Sequence, residues 1–122
     1  MKLQASAVSR RNAFTGYGEG YVQVNGQRRE ASVLVTPEQV LDWAPASFAE
    51  LAEAHFARIV ELRPEVVLLG TGARLRFPPA ALTAPLARAG IGLEVMDVQA
   101  ACRTYNILAA EDRVVVAALL LA

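Results

Sequence analysis

The apolar and polar positions at the start of the chain alternate with a period of two, which predicts strands. The alternating stretch covers 14–24 and carries three glycines at alternate positions. The next two residues, Asn25 and Gly26, are the strongest short signal for a hairpin, because a type I′ turn needs positive φ at both central positions. A returning strand is therefore predicted over 29–36.

Helices are predicted where apolar residues recur three and four positions apart. An S-x-x-E capping box at 47–50 predicts a helix that runs to about Leu62. A second helix is predicted over 83–89, with Pro85 in its first turn, because proline is tolerated there but not in a helix interior. A third helix is predicted over 97–110.

Three further apolar runs predict strands over 65–69, 92–96 and 113–121, which places the helices between strands. Strands that alternate with helices form a largely parallel sheet that is covered on both faces. The sequence therefore predicts an α/β fold, a single domain over 1–122. Its central sheet is mixed and mostly parallel, it begins with a β-hairpin, and residues 1–12 are expected to be loosely ordered.

The composition indicates a folded protein and argues against one class of partner. The chain has 122 residues, 54% of them hydrophobic and 20% charged, which is enough for one folded core. Its formal net charge is zero, whereas binding to nucleic acid needs clustered positive charge. We therefore expect no nucleic-acid partner.

The cysteine content and the apolar runs predict a soluble, cytoplasmic protein. The single cysteine, Cys102, excludes an intrachain disulfide and fits a reducing compartment. The N-terminal residues contain no apolar run of signal-peptide length. The C-terminal apolar run over 114–122 would reach roughly 14 Å as a helix. Because the hydrocarbon core of a bilayer is about 30 Å thick, we expect no membrane span.

Residue types that support catalysis or metal binding are scarce. The only histidine, His55, is expected at the rim of the core, and Cys102 is expected to pack as a small hydrophobe. The carboxylates are scattered, so we expect no catalytic group, no metal site and no cofactor. Gly70-Thr71-Gly72 follows a strand, but the third glycine of a dinucleotide fingerprint and the lysine of a P-loop are missing.

A candidate ligand site lies where strand 65–69 ends and the third helix begins, since ligands of open α/β sheets bind beyond the carboxyl ends of parallel strands. In this hypothesis Arg103 neutralises an anionic group on the ligand. The candidate ligand-binding residues are Gly70, Thr71, Gly72, Asp97, Arg103 and Asn106.

A structural role is the alternative for the same side chains. The run 103–106 places four polar residues inside an otherwise apolar helix. Buried polar groups are almost always paired, so Arg103 and Asn106 could hold the helix by bonding to loop carbonyls. Asp97 would then be the N-cap of the helix. The sequence leaves the two roles open.

Trp43 is the candidate partner-binding residue. It is the only tryptophan, and it lies in the connection 40–45, which is predicted to be an exposed loop. Exposed aromatic residues of this kind anchor protein interfaces. We therefore expect a protein partner, whose identity the sequence does not give, and the oligomeric state stays open.

Several short motifs carry a family resemblance. The most specific is the block A-A-C-R-T-Y-N-x-L at 100–108; the others are G-T-G (70–72), P-P (78–79), E-x-M (94–96), E-x-R (111–113) and V-A-A-L (116–119). Together they resemble a family of small proteins of unknown function that includes a mitochondrial assembly factor for respiratory complex I (NADH:ubiquinone oxidoreductase). The similarity covers 14–120, and Val98 stands where the family usually has a threonine.

The resemblance implies a three-layer α/β fold with a central mixed sheet, and it implies no established reaction for bacterial members. Eleven arginines against one lysine are typical of a GC-rich genome and favour a bacterial source. Our leading interpretation is an uncharacterised, non-catalytic binding or assembly-accessory domain. The alternative is a small anionic-ligand-binding protein or enzyme that uses the edge formed by the 70–74 turn and the start of the 97–110 helix.

Overall fold

The computed structural model describes residues 11–122, which form two sheets, three α-helices and one short 3-10 helix. The strands are β1 (Phe14–Gly18), β2 (Tyr21–Val24), β3 (Gln27–Arg29), β4 (Val33–Val35), β5 (Val40–Asp42), β6 (Val66–Thr71), β7 (Gly92–Met96) and β8 (Val115–Leu120). The α-helices are α1 (Glu53–Val60), α2 (Ala80–Arg88) and α3 (Val98–Ala110), and the 3-10 helix is Phe48–Glu50.

The central sheet has five strands in the order β5-β4-β8-β6-β7. β6 pairs in parallel with both β7 and β8, whereas β4 pairs antiparallel with both β5 and β8. A separate antiparallel sheet has the order β1-β2-β3. The predicted α/β fold, with a mixed central sheet and an N-terminal hairpin, is confirmed, but the central sheet has as many antiparallel as parallel pairs and so is not mostly parallel. Within residues 11–122, no helix is both long enough and apolar enough to cross a bilayer.

Two apolar cores separate the molecule into three layers. One core lies between the central sheet and the helices α1 and α2, and it includes Phe56, Ile59 and Leu86. The other lies between the opposite face of the sheet, α3 and the small sheet, and it includes Phe14, Val22 and Tyr105. Successive residues of β8 enter the two cores alternately, so all six are buried. This is why the C-terminal run is apolar without interruption.

A β-bulge shapes the first strand. Phe14 pairs with Val24, but Gly16 pairs with Gln23, so Thr15 is an extra residue on β1. Phe14 and Tyr17 lie three positions apart and would point to opposite faces of a regular strand. Because of the bulge, both pack against the core that contains α3.

The structure divides two predicted strands and adds one. The single strand predicted over 14–24 is wrong, because Gly20 with a φ of +76° turns the chain between β1 and β2. The strand predicted over 29–36 is divided because β3 belongs to the small sheet and β4 to the central one. The connection predicted over 40–45 contains β5, which pairs with β4.

Two helix starts differ from the predictions. The side chain of Ser47 makes no capping bond, and α1 begins only at Glu53. There the N–H of Ala52 donates to Nδ1 of His55 at 3.0 Å, so the histidine satisfies its own helix terminus.

The second helix begins earlier than predicted. Proline is well suited to a helix start, and Pro79 lies directly before α2, which places Pro85 in the helix interior rather than in its first turn. The Pro85 ring is buried there.

Residues 11 and 12 are held in place rather than loosely ordered. Arg11 Nη1 donates to the carbonyl of Ala109 at 2.7 Å, and the N–H of Asn12 donates to the carbonyl of Pro37 at 3.0 Å. The same expectation for residues 1–10 lies outside the described part of the chain.

Gly70→Ala should destabilise the protein, because α3 crosses β6 closely at this glycine. A Cβ at Gly70 would lie 2.8 Å from Cδ2 of Leu119 and 3.2 Å from Cα of Val98. Overpacking of a core costs about 1–3 kcal/mol of unfolding free energy. Gly92→Ala is the matched control in β7, since its nearest contact would be an ordinary 3.7 Å. Urea unfolding should show the loss in the first variant alone, and equal stabilities would contradict this packing.

Candidate functional site

The polar run at 103–106 lies against the start of the small sheet, not in a ligand cleft. Arg103 Nη1 donates to the hydroxyl of Tyr17 at 3.3 Å. The hydroxyl of Tyr105 donates to the backbone carbonyl of Asn12 at 3.0 Å. These bonds join α3 to a segment about ninety residues earlier in the chain.

Asn106 makes the most specific of these contacts. Its Nδ2 donates to the carbonyl of Phe14 at 2.8 Å, and the N–H of Phe14 donates to its Oδ1 at 2.9 Å. One side-chain amide therefore satisfies both backbone groups of one residue, as a neighbouring strand would. Phe14 also meets the ring of Tyr105 edge-on, with centroids 5.1 Å apart.

The predicted strand-end residues serve the local turn. Oγ1 of Thr71, which is fully buried, donates to the carbonyl of Arg74 at 2.8 Å and accepts from the N–H of Arg76 at 3.1 Å. The carbonyl of Gly72 accepts from the N–H of Val98 at 3.0 Å, which ties the turn to the start of α3.

Asp97 is the N-cap of α3. Its Oδ1 accepts a hydrogen bond from the N–H of Ala100 at 2.9 Å. This satisfies one of the N–H groups that a helix start leaves without an intrahelical partner. The capping role expected from the sequence is confirmed.

A cleft of about 560 Å³ opens at the carboxyl ends of β6 and β8, and we call it the strand-end cleft. Its lining combines the β1–β2 turn, the turn after β6, the start of α3 and the residues after β8. The charged side chains of this lining are Glu19 and Asp97, both carboxylates. The lining residues are Gly18, Glu19, Gly20, Tyr21, Gly72, Ala73, Asp97, Val98, Gln99, Leu121 and Ala122.

The structure therefore divides the predicted ligand site. Gly72 and Asp97 line the strand-end cleft, and Gly70 and Thr71 lie just before it in β6. Arg103 and Asn106 are absent from that lining and bond instead to β1. Glu19 belongs to the cleft and was missed, because the sequence does not show that the β1–β2 turn reaches the end of β6.

The expectation that Trp43 lies in an exposed loop is wrong. Its side chain is only 5% exposed, and its Nε1 donates to the backbone carbonyl of His55 at 3.3 Å. Its ring packs edge-on against Phe56 at a centroid distance of 6.0 Å. The chain before it forms β5 rather than a loop, which directs the indole into the core.

Cys102 packs in the core as expected. It is fully buried, and this burial raises the pKa of its thiol to about 12, which disfavours the thiolate that a nucleophile needs. Within residues 11–122, no three side chains of His, Cys, Asp or Glu converge as a metal site would require.

The loop between β6 and α2 exposes apolar residues that the sequence analysis did not single out. Phe77 is 70% exposed and Leu75 is 49% exposed. The sequence feature that could have drawn attention to this loop is its charge pattern. The stretch 66–93 contains three arginines and no aspartate or glutamate. A loop that combines these properties is a candidate contact surface.

Comparisons with known proteins identify relatives over most of the chain. A family described as "Protein of unknown function (DUF498/DUF598)" matches residues 14–120. NADH dehydrogenase [ubiquinone] 1 alpha subcomplex assembly factor 3 of Bos taurus is 39% identical over 104 residues, which are 83% of this chain but only 55% of the bovine protein. The 13 kDa major membrane protein of Francisella tularensis is 28% identical over 93% of this chain and 94% of its own length.

Solved structures share the fold. A crystal structure of a Bordetella parapertussis protein has a TM-score of 0.87 and 41% identity, and the match covers 92% of this chain and 97% of that one. A Bordetella pertussis protein described as a Mth938-like domain has a TM-score of 0.81 and 34% identity, with coverages of 95% and 87%. An outer membrane protein of Bartonella henselae has a TM-score of 0.74 and 28% identity, with coverages of 91% and 95%.

Asn106→Ala should lower the unfolding free energy by about 2 kcal/mol or more, because two partly buried backbone groups of Phe14 lose their partner. Arg103→Ala is the control, and it should lower the unfolding free energy clearly less because its contact is exposed to solvent. Both values come from urea unfolding. A larger loss for Arg103→Ala would contradict the structural role of Asn106.

The buried thiol should make stability fall at high pH. Above its ordinary pKa of 9.0 the thiol ionises in the unfolded chain, whereas in the folded chain it stays protonated up to about 12. The unfolded state then binds fewer protons than the folded state. The contribution of Cys102 to the unfolding free energy therefore decreases by at most about 1.4 kcal/mol per pH unit between the two pKa values. Unfolding free energies at about pH 8 and about pH 10.5 should therefore fall less steeply in Cys102→Ala. Equal slopes would contradict the shifted pKa.

Proposed function

This chain belongs to the DUF498/DUF598 family of proteins of unknown function, and we propose that it is a non-catalytic accessory protein that binds other proteins during the assembly of a larger complex. NADH dehydrogenase is the first candidate for that complex, because relatives at 34% and 39% identity are named as assembly factors for it. The match spans 55% of the bovine relative, so the role proposed here is that of the shared domain.

The observation that carries the proposal is that the polar run of α3 has a structural use. Tyr105 and Asn106 bond to the backbone of the segment before and within β1, and Asp97 caps the helix. The polar side chains of α3 that the sequence singled out are therefore engaged in holding the fold. Buried polar groups of this kind are expensive to leave unpaired, so they are poorly suited to exchange partners during turnover.

The geometry supports the anionic-ligand alternative less well. An anion needs a positive partner, but the charged side chains that line the strand-end cleft are Glu19 and Asp97. Arg103, the cation assigned to that task, bonds to Tyr17 instead. Protein binding is therefore the function that we propose.

We also propose a reducing compartment for the protein, the bacterial cytoplasm, since its one cysteine is free. Two relatives are named as membrane proteins, those of Francisella tularensis and Bartonella henselae. A protein that binds a membrane-embedded complex during assembly would fractionate with membranes in the same way.

Deletion of the gene in its native host should reduce the amount of assembled NADH:quinone oxidoreductase, because partly assembled subunits would lose their binding partner. Native gels of detergent-solubilised membranes, stained for NADH oxidation, measure this amount. Succinate dehydrogenase in the same membranes is the control and should be unchanged. An unaltered level of NADH:quinone oxidoreductase in the deletion strain would contradict the proposed assembly role.

Complementation separates binding from catalysis. Asp97→Asn keeps an oxygen that can cap α3 but removes the negative charge, and Cys102→Ala removes the thiol. Both variants should restore the complex as the original gene does, provided that immunoblots show equal amounts of protein. Loss of complementation by either variant at normal abundance would indicate chemistry at that residue and contradict a non-catalytic role.

A further inference from the structure

The loop between β6 and α2 presents two apolar side chains beside a cation at one end of the molecule. Phe77 is 70% exposed and Leu75 is 49% exposed. Arg74 lies next to them and is also exposed. We call residues 74–77 the arginine loop.

Hydrogen bonds and a cation–π contact hold the arginine loop in place. Oγ1 of Thr71 bonds to the carbonyl of Arg74 and to the N–H of Arg76. The guanidinium of Arg76 lies 4.6 Å from the centre of the Phe48 ring, and its Nη2 donates to the carbonyl of Thr71 at 3.4 Å. A loop that is already ordered loses little conformational entropy when it binds.

The chain segment that contains the arginine loop carries charge of one sign. The stretch 66–93 has arginine at 74, 76 and 88 and no carboxylate. Arg88 pairs with Glu53, and Arg76 stacks on Phe48. Among residues 11–122, Arg74 has no carboxylate within ion-pair distance, so an acidic surface elsewhere would complement it.

The strand-end cleft, at the same end of the molecule, carries charge of the opposite sign. Its lining begins at Gly72 and Ala73, immediately before the arginine loop. Its charged side chains are Glu19 and Asp97, and Val98 and Leu121 supply apolar surface. Its volume of about 560 Å³ is sufficient for two apolar side chains.

We propose that this end of the molecule is a self-association surface, on which the arginine loop of one copy enters the strand-end cleft of a second copy. Leu75 and Phe77 fill the cleft, and Arg74 pairs with Glu19 of the other copy. Because loop and cleft adjoin on each chain, one two-fold axis forms both contacts at once, as an isologous dimer requires. The aromatic anchor and the paired charge are the features that dominate binding energy at interfaces.

The features favour a second copy over a membrane surface. Binding to anionic lipid requires a cluster of roughly four to eight basic residues. The arginine loop has one free cation, and the whole chain has a formal net charge of zero. The dimer is a separate proposal from the assembly role, since that role does not require two copies of the chain to associate.

Sedimentation equilibrium of the full chain over a concentration series tests the proposal. The mass should rise with concentration from 13.1 kDa towards twice that value. Phe77→Ser and Arg74→Glu should each weaken dimerisation by about tenfold or more, because each removes a central contact. Ile107→Ser is the matched control, since it removes an apolar residue of similar exposure, 60%, from α3 and should leave the dimer unchanged.

A charge exchange distinguishes the proposed pairing from any other contact. Glu19→Arg alone should weaken the dimer as Arg74→Glu does, and the double variant R74E/E19R should restore it by reversing the ion pair. Circular dichroism and thermal melts confirm that each variant is folded. A monomer at every concentration overturns the proposal, and so does a dimer insensitive to F77S or a double variant without recovery. Wild-type binding to phosphatidylglycerol vesicles, lost in F77S while the chain in solution stays monomeric, overturns it in favour of a lipid surface.

Discussion

The pairing between the Asn106 side chain and the backbone of Phe14 is the constraint on which the third layer of this fold depends. The small sheet is joined to the central sheet by a short chain segment, and it has no backbone ladder to β4 through β8. Asn106 supplies the missing donor and acceptor from α3, and Tyr105 and Arg103 bond to residues on either side of Phe14. A polar residue inside an apolar helix is thus explained by the strand that it holds.

This constraint separates two regions that the sequence suggested were one. The polar run of α3 faces the start of β1, whereas the start of α3 lies at the carboxyl ends of the parallel strands. In the first region, the polar side chains of α3 are hydrogen-bonded to the segment before and within β1. The second is open, acidic and apolar, and it adjoins a loop that is basic and apolar. The open cleft therefore lies at the strand ends, whereas the polar run of α3 bonds to the start of the small sheet.

Most of the central fold could be predicted from local patterns, because β6, β7, β8 and α3 have apolar periods and caps that tertiary packing leaves unchanged. The predictions failed where distant contacts decide the conformation. The bulge at Thr15 lets Phe14 and Tyr17 both pack against the core that contains α3, and the chain turns at Gly20 through a positive φ. Trp43 is buried because β5 extends the sheet beside β4. The residues of the candidate ligand site lie in two places for the same reason. Spacing along a helix shows which residues share a face, but it does not show what covers that face.

Amide hydrogen exchange of the wild-type chain, followed by NMR, tests the central claim most directly. The N–H of Phe14 lies at the start of β1 and bonds to a side chain, Oδ1 of Asn106, at 2.9 Å. If Asn106 holds the small sheet to α3, this amide exchanges only when the molecule unfolds globally, at a rate close to that of Leu68 or Ala117 in the central strands. Exchange of the Phe14 amide orders of magnitude faster than those core amides would show that the sheet opens by itself, and it would contradict the account.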